Sequence, residues 1–165
     1  HRAPSEWVAL GAAAGLHLVG TRRGGEAALA AGEHVEALLG LSRAELGLLA
    51  HEVAPATSAW LLFSRRPPDE PCFAKDIGGW TPLADPSVPR DQIPVAAGDW
   101  AAARSLTVTM NGMARQVPLT ARGLEILRRS DGSTTLDDRC ADIGWQPARA
   151  ELFRLFHADL LHFRR

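Results

Sequence analysis

The chain has 165 residues, a formal charge of −1 and an apolar share of 46%. That length admits one domain or two small ones, and that apolar share supports a packed core. The near-zero charge argues against a strongly basic nucleic-acid binder and against a polybasic membrane-surface segment. No apolar run approaches the roughly 20 residues that span a bilayer, and no secretory signal is visible. Cys72 and Cys140 lie far apart with no metal-type spacing, so a reduced, cytoplasmic protein is the expectation. Lys75 is the only lysine among 18 basic residues. With the abundant alanine, this reads as the composition bias of a GC-rich source. The first residue is His1, which hints at a fragment or an excised domain.

In chain order, Pro4-Ser5 opens a predicted helix over 5–14, with Trp7, Val8 and Ala14 on one face and Glu6 complementing the N-terminal dipole. Gly15 ends it. Residues 16–21 alternate as a strand, and Arg22-Arg23-Gly24-Gly25 reads as a turn. The Ala-rich segment 26–39 has helical character, with Val35, Leu38 and Leu39 clustered. Ser42 and Glu45 then form a capping box, and Leu41 with Leu46 a hydrophobic staple. Leu46, Leu49 and Val53 continue the predicted buried stripe until Pro55. Residues 59–64 read as a strand apolar on both faces, and Arg65-Arg66-Pro67-Pro68 stops it.

Residues 67–97 hold seven of the eleven prolines and five acids. They are expected to be a linker without helix or central strand. Beyond it, Leu106, Val108 and Met110 alternate with Thr107 and Thr109, the period of a half-buried strand. Asn111-Gly112 suits a tight primed turn. Residues 113–117 return as the second arm, and Pro118 closes it. Thr120 can cap a helix that carries Leu124 and Leu127 inward before Asp131-Gly132 stops it. Thr135 can cap a short helix with Leu136, Cys140 and Ile143 on one side. Gly144-Trp145 turns the chain, and Pro147 suits the first turn of a third helix, with Leu152, Phe153, Leu155 and Phe156 as its core side. Residues 160–164 can form a last strand. A hairpin, three helices and a closing strand over 98–165 make a winged-helix-like domain.

Chemistry-bearing candidates are few. The helices joined by Ile143-Gly144-Trp145 have helix-turn-helix character, whose second helix would present Arg149 and Arg154 to DNA or another partner. The segment 98–165 carries ten arginines against eight acids, a net charge of only +2. Glu151 and Asp159 lie on or beside that helix, so a protein-facing or structural role is preferred over DNA. His157 and His162 are five positions apart, the wrong spacing for two ligands on one helical face. Asp137, Asp138 and Asp142 read as a solvated helix start and Cys140 as a small core residue. Gly11 to Gly15 follows a helical pattern, so it lacks the strand context of a phosphate loop. Arg22-Arg23 and Arg65-Arg66 are read as solvated strand ends, with an anionic contact as the minor alternative. No Ser-His-Asp or Cys-His arrangement emerges, so no catalytic, metal or cofactor-binding residue is assigned.

The order helix, strand, helical excursion, strand over residues 1–66 resembles the last part of a class I S-adenosylmethionine-dependent methyltransferase. The residues that carry the resemblance are Ser5, Trp7, Leu10, Ala14-Gly15-Leu16 and Ala59-Trp60-Leu61-Leu62-Phe63. Some family members add a small winged-helix-like module, and Leu119-Thr120, Ile126-Leu127 and Asp131-Gly132-Ser133-Thr134-Thr135-Leu136 fit its motif. The resemblance implies an α/β, overall α+β chain: a C-terminal piece of a Rossmann-like sheet over 1–66, the linker 67–97 and the winged-helix-like domain 98–165. It implies S-adenosylmethionine as the cofactor of a parent protein. The partners would be the rest of that protein or a small-molecule or peptide substrate. The glycine-rich loop and the acidic residue about 20 positions later, which hold the cofactor in the family, have no match here. This chain alone is therefore not expected to methylate. The competing expectation is a winged-helix regulator or a peptide-binding module whose hairpin edge takes an extended strand.

Overall fold

The computed structural model describes residues 3–22, 32–53, 60–96, 98–110 and 112–165. The chain divides into two compact units, His1–Ala74 and Lys75–Arg165. Their described residues are mixed α+β, with six α-helices and three two-stranded antiparallel sheets. The predicted turn after Arg22, the first part of the 26–39 helix, Pro55 and Asn111 lie outside the described residues.

The first unit contains α1 (Pro4–Ala13), β1 (His17–Arg22), α2 (Val35–Leu38), α3 (Arg43–Val53) and β2 (Trp60–Ser64). Glu6 accepts the Ala3 N–H at 2.8 Å, supplying one of the acceptors that a helix start lacks. At the other end Gly15 adopts φ +72°, a conformation that costs glycine little. It lets the Leu16 N–H reach the Gly11 carbonyl at 2.9 Å and the Gly15 N–H reach that of Ala12 at 3.0 Å, the reciprocal pair that closes a helix end. The expected inward face of α1 is not inward. Trp7 is 52% exposed, Ala14 is exposed, and Gly11 is the buried residue of the helix. A Cβ at Gly11 would meet the Phe63 ring, so the helix lies on that ring by its bare backbone and its larger side chains diverge outward.

β1 and β2 pair antiparallel, His17 opposite Ser64 and Leu18 opposite Phe63. The register then shifts by one, so that Gly20 faces Leu62. One extra residue, Val19, makes this a bulge, which bends β1 and resets which side chains face which side. α3 packs on β1. Its cap is the one expected: Ser42 Oγ accepts the Glu45 N–H at 3.2 Å, while Glu45 accepts the Ser42 N–H at 2.8 Å. The buried stripe is Ala44, Leu46, Gly47 and Ala50, whereas Leu49 is half-buried and Val53 is 66% exposed. Small residues at 47 and 50 bring the helix backbone inward, and Val53, its last residue, stays outside. Glu70 accepts the Arg43 N–H at 3.1 Å, and burial pushes its carboxyl above the usual range.

The second unit begins inside the expected linker. β3 (Thr81–Ala84) pairs antiparallel with the last strand, β6 (Leu161–Arg164), Thr81 opposite Arg164 and Ala84 opposite Leu161. Ile77, Trp80, Ala84, Val88 and Ile93 are buried. Prolines do not prevent this, because β3 is short and its sheet has only two strands, where a missing N–H is tolerated. The segment after the next helix reinforces the pair. The Ala84 N–H donates to Ser130 O at 2.8 Å and the Gly132 N–H to Pro82 O at 3.0 Å.

Between them β4 (Ala103–Met110) and β5 (Met113–Thr120) form a hairpin, in register from Ala103–Thr120 to Met110–Met113. Gly112 sits at φ +77°, as the second position of a two-residue primed turn requires. Leu106, Val108, Val117 and Leu119 are buried, while Thr107, Thr109 and Gln116 are exposed. Pro118 does not end the second arm. It pairs with Ser105, and β5 runs on to Thr120, because each strand of a hairpin is an edge.

α4 (Ala121–Arg129) follows with six of its nine residues buried. α5 (Leu136–Arg139) is one turn capped by Thr135, whose Oγ1 accepts the Asp138 N–H at 3.3 Å. A 3₁₀ turn at Gln146–Ala148 leads into α6 (Arg149–His157). The core of the unit is Ile126, Leu127, Leu136, Cys140, Trp145, Leu152, Phe153, Leu155 and Leu161. Cys140 is fully buried, and burial pushes its thiol up to about 11. Native protein at pH 8 should therefore label at Cys72 first, and at Cys140 only as denaturant opens the second unit. Equal rates at both thiols in a mass-resolved alkylation series would contradict this packing.

Candidate functional site

Polar side chains of the second unit converge where the starts of α4 and α6 meet. Thr120 caps α4 by accepting the Gly123 N–H on its Oγ1 at 3.2 Å. Its own N–H and O–H donate to the two carboxylate oxygens of Glu151, each at 2.8 Å. In an ordinary capping box the third helical residue supplies that carboxylate. Here the residue is Gly123, and a Cβ in its place would overlap the Glu151 carboxylate. Glu151 is 8% exposed, so it reaches the α4 start from the packed side of α6.

Beside this cap Arg122 donates from Nε to the Ile143 carbonyl at 3.0 Å. Two residues on, the indole N–H of Trp145 donates to Asp137 at 2.8 Å. The Asp137 carboxylate occupies the space that a Cβ on Gly78 would fill. The Arg149 guanidinium lies 5.8 Å from the Trp145 ring centroid, within cation–π range. Arg149 and Arg154, the residues expected to face DNA or another partner, are both half-buried. No residue of α6 is exposed.

The other polar residues settle into structural roles. The Glu125 side chain is 1% exposed and binds the guanidiniums of Arg128 and Arg129, the latter at 2.7 Å. Arg129 also holds Asp142 at 2.6 Å. Burial alone would raise the Glu125 carboxyl, but hydrogen bonds from Arg128 and Arg129 outweigh it and hold the group below the usual range. Asp142 is held low by its hydrogen bond from Arg129, and Asp131 by those from Ser133. Asp138 accepts from the Thr135 hydroxyl at 2.8 Å.

These depressed carboxyls contribute stability that is full above their unfolded values, about 4, and lost as pH falls through the lower folded values. Glu70 in the first unit has the opposite sign: its folded value is raised, so protonating it favours folding. Acid titration followed residue by residue by NMR should open the second unit while the first still holds. Simultaneous loss, or first-unit opening first, would refute this assignment.

His157 packs against Phe153, ring centroids 4.3 Å apart, while His162 approaches Asp85 at 3.4 Å. A hollow of about 390 Å³ lies beside Asp85, lined also by Leu83, Pro86, Val88, Arg90 and Asp91. Among the described residues no group of three or more His, Cys, Asp or Glu is arranged to hold a metal ion. Gly11 lies within α1 and Gly15 just past its end, so they form no strand-to-helix cradle. Arg65 and Arg66 are exposed. No helix among the described residues is long and apolar enough to cross a membrane. No protein-family model, curated protein or solved structure matches the chain.

Spacing did not reveal the Thr120–Glu151 pair, because 31 positions separate its members. The available signal was Gly123, a glycine in the first turn of an otherwise good helix, where it costs about 1 kcal/mol against alanine unless something needs the space.

Proposed function

We propose that this chain is the C-terminal part of an S-adenosylmethionine-dependent methyltransferase, with the hairpin, three helices and closing strand of 98–165 as a winged-helix-like accessory domain. The observation that carries this reading is the first unit's order: α1, β1, a helical excursion, then the apolar β2 running antiparallel beside β1. That is the order and pairing with which the family's sheet ends. The glycine-rich loop and the acidic residue that hold the cofactor in that family have no match in this sequence, so the rest of the parent protein would hold it. The accessory domain would cover the acceptor or hold a partner. In the parent, methyl transfer would then be a matter of placing the acceptor in line.

The test compares this chain with the protein encoded by its complete reading frame, each titrated with S-adenosylmethionine by calorimetry. The expected result is binding by the complete protein and none by the chain alone. A complete protein that binds no S-adenosylmethionine would overturn the reading. A DNA-binding regulator is the second reading, favoured by the hairpin with its three helices and by Arg149 and Arg154. A recognition helix needs an open face for the major groove, and every residue of α6 is at least half-buried, so the first reading stands ahead. A duplex-DNA shift that weakens steeply with salt would reverse that order.

A further inference from the structure

The hairpin β4–β5 is a sheet of two strands, so each arm has one edge without a sheet neighbour. Its turn decides which backbone groups face outward. Met110 lies opposite Met113 with two residues between them, so this closing pair exchanges both hydrogen bonds. Bonded and unbonded pairs then alternate along the ladder. Ala103, Ser105, Thr107 and Thr109 therefore turn their N–H and C=O groups away from β5. Ala114, Gln116, Pro118 and Thr120 turn theirs away from β4. Two bonds agree with this phase. The Thr120 N–H goes to Glu151 and not to Ala103, and the Ala121 N–H reaches the Ala102 carbonyl at 2.9 Å, where the next bonded pair belongs.

The two edges differ. On β5, Pro118 has no N–H to offer and the Thr120 N–H is taken, so an added strand would meet an interrupted ladder. On β4 the register is unbroken from Ala103 to Met110, without proline or bulge, and Ser105, Thr107 and Thr109 are exposed. Among the described residues no backbone group outside the hairpin pairs with these three. Each presents an N–H and a C=O together, repeating every second residue, about 7 Å along the strand. A phosphate accepts but does not donate, so a nucleic-acid backbone matches only half of these groups. Another extended peptide matches all of them.

Charge narrows the peptide. From Trp100 to Leu124 the chain carries Arg104, Arg115 and Arg122 and no acid. Arg104 and Arg115 are exposed and share the side of the hairpin on which Val108 lies. Among the described residues neither forms an ion pair. Arg104 donates instead to the Ala103 carbonyl at 2.9 Å, so it covers the outward carbonyl at the start of β4. A carboxylate opposite Arg104 on an added strand would draw the guanidinium off that carbonyl and free it for pairing.

We propose that the outer edge of β4, from Ala103 to Thr109, docks an extended acidic segment of a partner protein, which adds as a third strand. This assignment is independent of the methyltransferase reading.

The test is an NMR titration of the full chain with two synthetic peptides of about nine residues, long enough to span the edge. Both alternate valine and threonine, and they differ only in whether their charged positions are glutamate or lysine. With the glutamate peptide at about ten times its Kd, amide hydrogen exchange at Ser105, Thr107 and Thr109 should slow roughly tenfold. Leu106 and Val108, whose amides already face β5, should change little. The lysine peptide should bind roughly tenfold more weakly, with the gap narrowing as salt rises. Arg104→Gln should shrink that gap by roughly two- to fivefold. Thr107→Pro repeats on β4 what Pro118 does on β5, removing an outward N–H while sparing the bonds within the hairpin, and should abolish binding. Exchange at the three amides of the unmodified protein that ignores saturating glutamate peptide overturns the edge, whether or not the variants fold. Equal affinity for both peptides overturns the acidic partner. Protection of the same amides that grows with protein concentration, without peptide, assigns the edge to a second copy and overturns the proposal too.

Discussion

Replacing Trp145 with alanine is expected to destabilise the second unit by about 3–5 kcal/mol, the range for removing a large buried aromatic side chain. Trp145 is 2% exposed and sits on the turn between the short α5 and α6, so its removal opens a void in the core where neither a long helix nor a sheet spans the gap. Domains of this size are stable by only about 5–15 kcal/mol, so the loss takes a large part of the total. Its one polar atom donates to Asp137 at 2.8 Å, and Asp137 is otherwise exposed. Trp145→Phe therefore separates packing from hydrogen bonding. It should cost about 1–2 kcal/mol, because the ring volume is mostly kept and the freed carboxylate can be hydrated. Urea unfolding of the second unit, followed through its own NMR signals, measures both. A Trp145→Ala variant within about 1 kcal/mol of the unmodified protein would show that the turn is not part of the core.

The elements that could be read from the sequence are those specified by neighbours in the chain. The hairpin announced itself by the alternation of Leu106 and Val108 with Thr107 and Thr109 and by Asn111-Gly112. The caps at Ser42, Thr120 and Thr135 were legible because each hydroxyl accepts from an N–H three positions on. Gly15 stopped α1 for the same local reason. Burial was read less well, because it depends on what comes from elsewhere. Trp7 and Val53 have the hydrophobicity of core residues, yet α1 buries Gly11, and α3 buries Ala44, Leu46, Gly47 and Ala50.

β3 was hidden for a different reason. Its residues Thr81-Pro82-Leu83-Ala84 lie in a proline-rich stretch, and its partner is β6, about eighty residues away. The prolines argued correctly against a helix or a central strand. They carry no information on a short strand that pairs with β6 on one side and meets only the isolated bonds of residues 130–132 on the other. The candidate site shares this non-local character. Charge and spacing permit Arg149, with Arg154, to be read as a contact to DNA or another partner, with a protein-facing or structural role preferred. What they cannot convey is that the Trp145 ring lies 5.8 Å from the Arg149 guanidinium, or that Arg122, 27 positions earlier, donates to the Ile143 carbonyl of the same turn.

The Glu151 carboxylate offers the sharpest test of how the second unit is joined. Glu151→Ala should cost about 2–4 kcal/mol, since it strips the cap of its charged acceptor and leaves the Thr120 N–H and hydroxyl without a partner in a half-buried position. Glu151→Gln should recover part of the loss, because its amide carbonyl can still accept from one of the two donors. Gly123→Ala then gives a change of sign. In the unmodified protein the new methyl would meet the carboxylate, so the substitution destabilises despite alanine's better helix propensity. In the Glu151→Ala background the obstacle is gone, and the remaining neighbour, Leu119 Cδ2, would lie 3.6 Å away, an ordinary contact. There Gly123→Ala should stabilise by about 0.5–1 kcal/mol, the usual gain from replacing a helical glycine. A double-mutant cycle by urea unfolding reads the coupling directly, because other consequences of each single change cancel. If Gly123→Ala destabilises both backgrounds equally, the glycine is required by something other than Glu151, and the cap between α4 and α6 is not what holds these helices together.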